Sequence, residues 1–134
     1  MNAVLELRDV SRRYDDGAAE VAALSRVSVS VAAGELVAVM GPSGSGKSTL
    51  LQLAGGLDGP TDGRVLIDGH DLADLGPRAL AALRRRRVGY VFQRLNLLAS
   101  LTAVENVMLP LELDGTGARA ARAAAEAALA QAGF

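Results

Sequence analysis

The sequence predicts an α/β fold, because patterns typical of strands alternate with patterns typical of helices along its 134 residues. That length suits one domain or part of one. Half of the residues are hydrophobic and the mean hydropathy is +0.24, so there is enough apolar material for a core. Aromatic residues make up only 3%, so we expect that core to consist of alanine, valine and leucine.

The first third of the chain reads as β structure. Residues 4–10 are a plausible strand, and residues 27–31 alternate valine with serine, which predicts a half-buried strand. Turns are predicted at residues 15–17 and 33–35. Residues 36–40 are apolar at every position, and such a run predicts a strand in the middle of a parallel sheet.

A helix is predicted at residues 48–54, with the Gly-Gly pair that follows it as its end. Residues 64–67 form the next strand pattern, and the Asp-Gly pair after it is a strong turn signal. Pro77 suits the first position of a helix that continues to the four arginines of residues 84–87. Residues 88–92 again have the composition of a strand.

The last third is predicted to be helical. Thr102 and Glu105 have the spacing of a capping box, which would open a short helix that Pro110 stops. Residues 119–132 are rich in alanine and form the last predicted helix, after a loop at residues 114–117.

Composition excludes several functions. The net charge of −1 shows no basic surplus, so we expect no nucleic-acid partner, and the arginines of residues 84–87 are interpreted as complementing a helix C-terminus. Cysteine is absent, which excludes disulfides and thiolate metal sites. His70 is the only histidine and is expected to face solvent. The chain start does not resemble a signal peptide, and no apolar run approaches the ~18 residues of a membrane span, so a cytoplasmic protein without membrane insertion is expected.

Residues 41–49 match the phosphate-binding pattern G-x-x-x-x-G-K-S/T. Glycines in this pattern permit backbone angles that turn successive N–H groups inward, and we expect that of Gly41, Gly44 and Gly46. The following helix adds roughly half a positive charge at its N-terminus. A lysine here reaches the β- and γ-phosphates, and the serine hydroxyl after it can bind Mg²⁺. The predicted phosphate-binding residues are Gly41, Pro42, Ser43, Gly44, Ser45, Gly46, Lys47, Ser48 and Thr49.

The alternative is a Gly/Ser-rich linker that matches the pattern by accident. At ordinary glycine usage the odds of such a match are about 1% or less. An apolar strand pattern leads into the loop, a helix pattern leads out, and Lys47 is the only lysine in the chain. These three features favour a phosphate-binding loop.

Over nearly its whole length the chain resembles the ATP-binding subunits of ABC transporters. The similar segments are residues 5–10 followed by Tyr14, residues 34–51, residues 63–69, residues 88–93 and residues 97–111. The last of these, residues 97–111, resembles one subgroup, the macrolide-export and lipoprotein-release transporters. The resemblance implies a P-loop NTPase core with an N-terminal antiparallel β subdomain and the start of a helical subdomain. Residues 1–134 would be part of one such domain, with residues 1–92 in the core and residues 93–134 holding the Q-loop and the beginning of the helical subdomain.

The family also implies roles for two residues outside the loop. Tyr14 would stack on adenine, and Gln93 would complete the Mg²⁺ shell with Ser48 and lie near the membrane partner. Taken without the resemblance, Tyr14 would be an ordinary partly buried tyrosine and Gln93 a solvated residue at a strand end. The implied cofactors are ATP and Mg²⁺. The implied partners are a second ATP-binding subunit and a membrane permease, at the inner face of the cell membrane.

Other chemistry of that family is missing from the sequence: there is no Leu-Ser-Gly-Gly-Gln signature, no apolar strand ending in Asp-Glu, and no later switch histidine. Residues 109–114 are rejected as such a strand because Pro110 lacks the N–H that a central strand needs. The chain is therefore expected to be the N-terminal part of a longer domain, or a nucleotide-binding module that does not hydrolyse ATP. A further alternative is a P-loop kinase or GTPase, which would need an arginine-rich lid or an Asn-Lys-x-Asp motif. The second motif is impossible here, because the only lysine follows Gly46.

Overall fold

The computed structural model describes residues 2–134, which divide into two compact units. The first unit extends to Gly89 and the second is Tyr90–Phe134. The first contains a mixed set of strands and helices, whereas the described elements of the second are helices only.

The first unit is built on a four-stranded antiparallel sheet with the order β2-β1-β3-β4. Its strands are β1 (Ala3–Asp15), β2 (Glu20–Ala32), β3 (Asp62–Ile67) and β4 (His70–Asp71). Leu7 on β1 pairs with Val29 on one side and with Val65 on the other. The strands expected at residues 4–10, 27–31 and 64–67 are confirmed, and all three are longer than predicted.

Short turns connect β1 with β2 and β3 with β4. Asp68 and Gly69 both have positive φ, 48° and 78°, as a two-residue hairpin requires, so the predicted turn is confirmed. Between β1 and β2 the Asp16 carboxylate accepts hydrogen bonds from the backbone N–H groups of Ala18 and Ala19. These local contacts make β1 and β2 neighbours and β3 and β4 neighbours, whereas the pairing of β1 with β3 joins distant segments.

Three helical segments accompany the sheet: α1 (Lys47–Ala54), a 3₁₀ turn (Leu72–Asp74) and α2 (Pro77–Arg87). Gly55 and Gly56 follow α1 and Pro77 opens α2, as predicted. Leu53 of α1 is fully buried against the sheet. The buried core of this unit consists of Leu7, Val10, Leu24, Leu53 and Val65, which agrees with the expectation of an aliphatic core.

Two predicted strands are wrong: residues 36–40 and residues 88–92 belong to no strand. The physical reason is the lack of a partner, because a strand exists only where its N–H and C=O groups pair with a neighbour. Leu36 is 97% exposed and Met40 is 88% exposed, although both are apolar. Apolar composition alone therefore does not make a strand within the described chain.

The second unit contains α3 (Ala103–Leu113) and α4 (Ala118–Gln131), which pack on each other through Met108, Ala121 and Ala125. The predicted capping box is confirmed, because Thr102 and Glu105 bond to each other's backbone N–H. The expectation that Pro110 stops α3 is wrong, since the helix continues to Leu113.

The missing N–H of Pro110 removes one helical hydrogen bond, but the turn after it remains bonded, with Asp114 N–H donating to the Pro110 carbonyl at 3.2 Å. Packing of Met108 against α4 compensates for the loss. Because residues 109–113 are helical, their rejection as a strand is confirmed. In α4 Arg122 and Glu126, which are four residues apart, form an ion pair at 3.0 Å.

Candidate functional site

The glycine-rich loop leads directly into α1, and its glycines serve different purposes. Gly44 and Gly46 have φ of 81° and 92°, which residues with a Cβ rarely adopt. Gly41 is not in this region, so the expectation of an unusual backbone angle there is wrong. A Cβ at Gly41 would instead lie 2.7 Å from Ser45 Oγ, so this position needs a small residue.

Gly46, the N-cap residue of α1, rests directly on the sheet. A Cβ at this position would overlap the backbone carbonyl oxygen of Ala23 and lie 3.1 Å from Leu24 Cδ2, both on β2. A backbone atom cannot move aside as a flexible side chain can. The end of the loop is therefore seated against β2, and only glycine fits there.

Lys47 folds back over the loop that precedes it. Its ammonium donates hydrogen bonds to the carbonyl oxygens of Gly41 at 2.6 Å and Pro42 at 2.7 Å, and to Ser45 Oγ at 3.3 Å. The first turn of α1 has no acidic residue, and Gly46 gives it no side-chain cap. A cation and a helix N-terminus thus meet at one loop without a compensating carboxylate, which suits an anion such as phosphate.

Of the two predicted magnesium ligands, Ser48 lies exposed on the first turn of α1. Its hydroxyl is a hard oxygen donor of the kind Mg²⁺ accepts. Gln93 is an exposed residue of the second unit. Joint binding of one ion by these two residues stays a prediction. Thr49, the last residue of the motif, is half-buried beside Ser48 in α1.

Tyr14 lies near the end of β1, opposite Val21 of β2. Two residues earlier on β1, Arg12 pairs with Leu24, the residue that Gly46 approaches. Tyr14 and the end of the glycine-rich loop therefore occupy the same part of the β1–β2 hairpin. The structure leaves 37% of Tyr14 exposed.

Sequence reasoning missed two residues beside Tyr14. The Arg12 guanidinium lies over the tyrosine ring, 4.6 Å from its centroid, and Asp58 accepts a hydrogen bond from Tyr14 Oη at 3.3 Å. Contact with Tyr14 raises the pKa of Arg12, and the Asp58 carboxylate adds to this rise, so the guanidinium stays cationic. The available signal was the i, i+2 spacing on a strand, which places Arg12 and Tyr14 on one face.

The arginines of residues 84–87 have partners within the protein. Arg84 donates to the Gly56 carbonyl at 2.8 Å, and Arg87 lies 3.5 Å from Asp68. Arg85 and Arg86 also make interactions. Arg84 and Arg87 thus bind to other parts of the first unit. His70 is exposed, as predicted.

Comparison with known proteins gives a consistent result. The ABC transporter family model matches residues 24–134. An uncharacterized ABC transporter ATP-binding protein of Thermotoga maritima is 52% identical over 119 residues, which is 89% of this chain and 51% of that protein. The macrolide export ATP-binding/permease protein MacB of Hyphomonas neptunium is 49% identical over 131 residues, 98% of this chain and 20% of that protein.

Among solved structures, the chain is similar to a dimeric post-hydrolysis state of the ATP-binding cassette MJ0796 bound to ADP and Pi. The TM-score is 0.84 at 42% identity, covering 90% of this chain and 53% of that one. The chain thus spans about half the length of the cassettes it matches. None of the helices between residues 2 and 134 combines the length and the apolar character that a bilayer crossing requires.

Proposed function

Because this chain belongs to the ABC transporter family, we propose that it binds ATP and Mg²⁺ through residues 41–49 as part of a transporter ATPase. The observation that carries the proposal is the position of Lys47, whose ammonium closes over the loop at the N-terminus of α1. The cation, the helix N-terminus and the glycine-rich loop together form a site of the kind that binds polyphosphates.

Each residue then has a defined role. The N–H groups of the loop and of the first turn of α1 donate to phosphate oxygens, while the Lys47 ammonium exchanges its carbonyl partners for the β- and γ-phosphates. The Ser48 hydroxyl and the Gln93 amide oxygen are the groups that would hold Mg²⁺, and the ion would neutralise phosphate charge. Tyr14 stacks on adenine with its exposed side.

We further propose that the cassette works with a second ATP-binding subunit and a membrane permease, at the cytoplasmic face of the membrane. The dimeric form of the MJ0796 cassette supports the first partner, and the combined ATP-binding/permease name of MacB supports the second. Export or lipoprotein release is the process that we propose is powered, and the macrolide export named for MacB supports export.

A second candidate function is nucleotide binding without hydrolysis. The helical structure of residues 109–113 favours it, because that stretch was the nearest candidate for the acidic strand that ATP hydrolysis needs. No strand within residues 2–134 ends in an Asp-Glu pair. A general base to orient the attacking water would then have to come from elsewhere.

The test is calorimetric titration of the chain with ATP and Mg²⁺, comparing Lys47→Ala with Arg8→Ala. Arg8 is a matched control, since it also loses one cation from the first unit but pairs only with Glu6, at 2.8 Å, on the sheet. We expect Lys47→Ala to weaken ATP about tenfold or more, at 1.4 kcal/mol per decade, and Arg8→Ala to leave it unchanged. Equal ATP affinity of the wild type and Lys47→Ala would refute the proposal.

A further inference from the structure

Arg12, Tyr14 and Asp58 form a contact group on one face of the sheet. Arg12 Nη2 lies 2.9 Å from Asp58 Oδ2, and the same carboxylate oxygen accepts the hydrogen bond from Tyr14 Oη. The guanidinium covers the tyrosine ring at 4.6 Å. Each member of the group therefore contacts both of the others.

Asp58 is itself held in place, in the loop that follows α1. Its second carboxylate oxygen, Oδ1, accepts a hydrogen bond from the backbone N–H of Gly59 at 2.8 Å. Because α1 begins at the glycine-rich loop, Asp58 ties the Tyr14 side chain to the far end of the phosphate-binding helix. The ring of Tyr14 is restrained in three ways: by its position on β1, by the hydrogen bond from its hydroxyl to Asp58, and by the Arg12 guanidinium over one face.

The orientation of Arg12 is unusual for a surface arginine. Its side chain is 25% exposed, and its Nε is buried without a hydrogen-bond partner. A buried donor without a partner is unfavourable, so this orientation gives up a hydrogen bond to keep the contacts with Tyr14 and Asp58. A guanidinium over an aromatic face gains a cation–π attraction that offsets part of this loss.

We propose that Arg12 and Asp58 are positioning residues that hold the Tyr14 ring ready for a nucleobase. The inference rests on the proposed function, since it concerns how the same site recognises the base of ATP. Arg12 occupies one face of the ring, so the base stacks on the exposed side. A ring that is already ordered loses less conformational entropy on binding than a free one, which raises affinity for the base.

If Arg12 and Asp58 position Tyr14, their loss weakens binding of the base and leaves binding of the phosphates unchanged. General damage to the fold would weaken both. Inorganic tripolyphosphate carries the phosphates of ATP without the base. The experiment measures the dissociation constants of ATP and of tripolyphosphate, both with Mg²⁺, for the wild type and for single variants of the group. The quantity of interest is the ratio of the two constants.

We expect Arg12→Ala to weaken ATP about threefold to tenfold and to leave tripolyphosphate unchanged. Asp58→Ala has the same selectivity with a smaller effect, and Arg12→Lys restores most of the ATP affinity, because a lysine ammonium also lies favourably over an aromatic ring. Tyr14→Ala weakens ATP alone, whereas Tyr14→Phe keeps the stacking surface.

Arg13→Ala is the matched control. Arg13 is the neighbouring arginine, but it pairs with Glu20 and Asp62 at 2.6 Å each and does not contact the ring. Its loss leaves the ratio of the two constants unchanged.

The possible outcomes separate the inference from the proposed function. An Arg12→Ala variant that weakens both ligands equally, changes neither, or binds ATP more tightly overturns the positioning role and leaves the phosphate site intact. A wild-type chain that binds neither ATP nor tripolyphosphate overturns both the inference and the proposed function.

Discussion

Two short apolar stretches of the first unit differ in structure: residues 27–31 form part of a strand, and residues 36–40 do not. The first lies in β2, where Val27 pairs with Val10, Val29 with Leu7 and Val31 with Leu5. The second lies outside the sheet, with Leu36 almost fully exposed. Only four residues separate them in the sequence, and both consist mainly of aliphatic side chains.

The difference lies in where the partner strand comes from. Residues 27–31 alternate apolar and polar side chains, so one covered face is enough, and the hairpin turn at residues 16–19 delivers β1 as the neighbour. Residues 36–40 are apolar on both faces, and no short turn connects them to a strand that could pair with them. Val37 and Val39 only line an apolar groove of about 310 Å³ beside Leu50 and Leu5. A local turn thus ensures a strand, whereas apolar composition only indicates that burial would be favourable.

The largest expected effect contrasts the same substitution in the two environments. Leu53→Ala removes a side chain that is fully buried, and we expect the free energy of unfolding to fall by about 2–5 kcal/mol. Leu36→Ala acts on a side chain that is 97% exposed and should change stability by less than about 0.5 kcal/mol. Urea unfolding followed by circular dichroism measures both. Similar losses for the two variants would show that residues 36–40 are packed in solution.

A smaller effect on stability is expected in the second unit. Its capping box, like the turn between β1 and β2, involves residues that are close together in the sequence. Thr102→Ala removes the hydroxyl that accepts from Glu105 N–H at 3.3 Å, and we expect α3 to lose about 1 kcal/mol. Hydrogen exchange of the amides in the first turn of α3 reports the loss. Thr102→Ser retains the hydroxyl and serves as the control, so equal exchange in both variants would contradict the assigned cap.

The smallest expected effect is a pH dependence of the same cap. Hydrogen bonds from the backbone N–H and the hydroxyl of Thr102 lower the pKa of Glu105 below its ordinary value of 4.5. A carboxyl with a lowered pKa in the folded state stabilises that state above the ordinary pKa, and this contribution is lost as the pH falls through the folded value. The cap is therefore fully formed at neutral pH and weakens only in acid. In Glu105→Gln, the stability of α3 should lose this acid dependence, and an unchanged profile would contradict it.

The same distinction explains how much of the molecule could be predicted. The Asp68-Gly69 turn, the Thr102 cap and the loop glycines Gly44 and Gly46 follow from rules that span a few residues, and the structure contains all of them. Prediction was wrong where distant packing decides. Pro110 remains inside α3 because α4 supports that helix. Residues 88–92, like residues 36–40, have no pairing strand.

The candidate site shows the same limits. The phosphate-binding pattern could be read directly, because its chemistry is carried by consecutive residues. The group beside Tyr14 could be predicted only in part, since Arg12 lies two residues away but Asp58 lies 44 residues along the chain. No spacing rule connects a strand to a loop that follows a distant helix, so this contact required the fold.

The hydrogen bonds of Lys47 have a thermodynamic consequence. In the free protein the ammonium already makes short bonds to the carbonyl oxygens of Gly41 and Pro42, so it acts as a cross-link that ties the start of the loop to its end. Binding of a polyphosphate at this site is then an exchange of acceptors, and its measured affinity is the difference between two sets of charge-assisted hydrogen bonds. The intrinsic attraction of Lys47 for phosphate is larger than any titration of this chain will report.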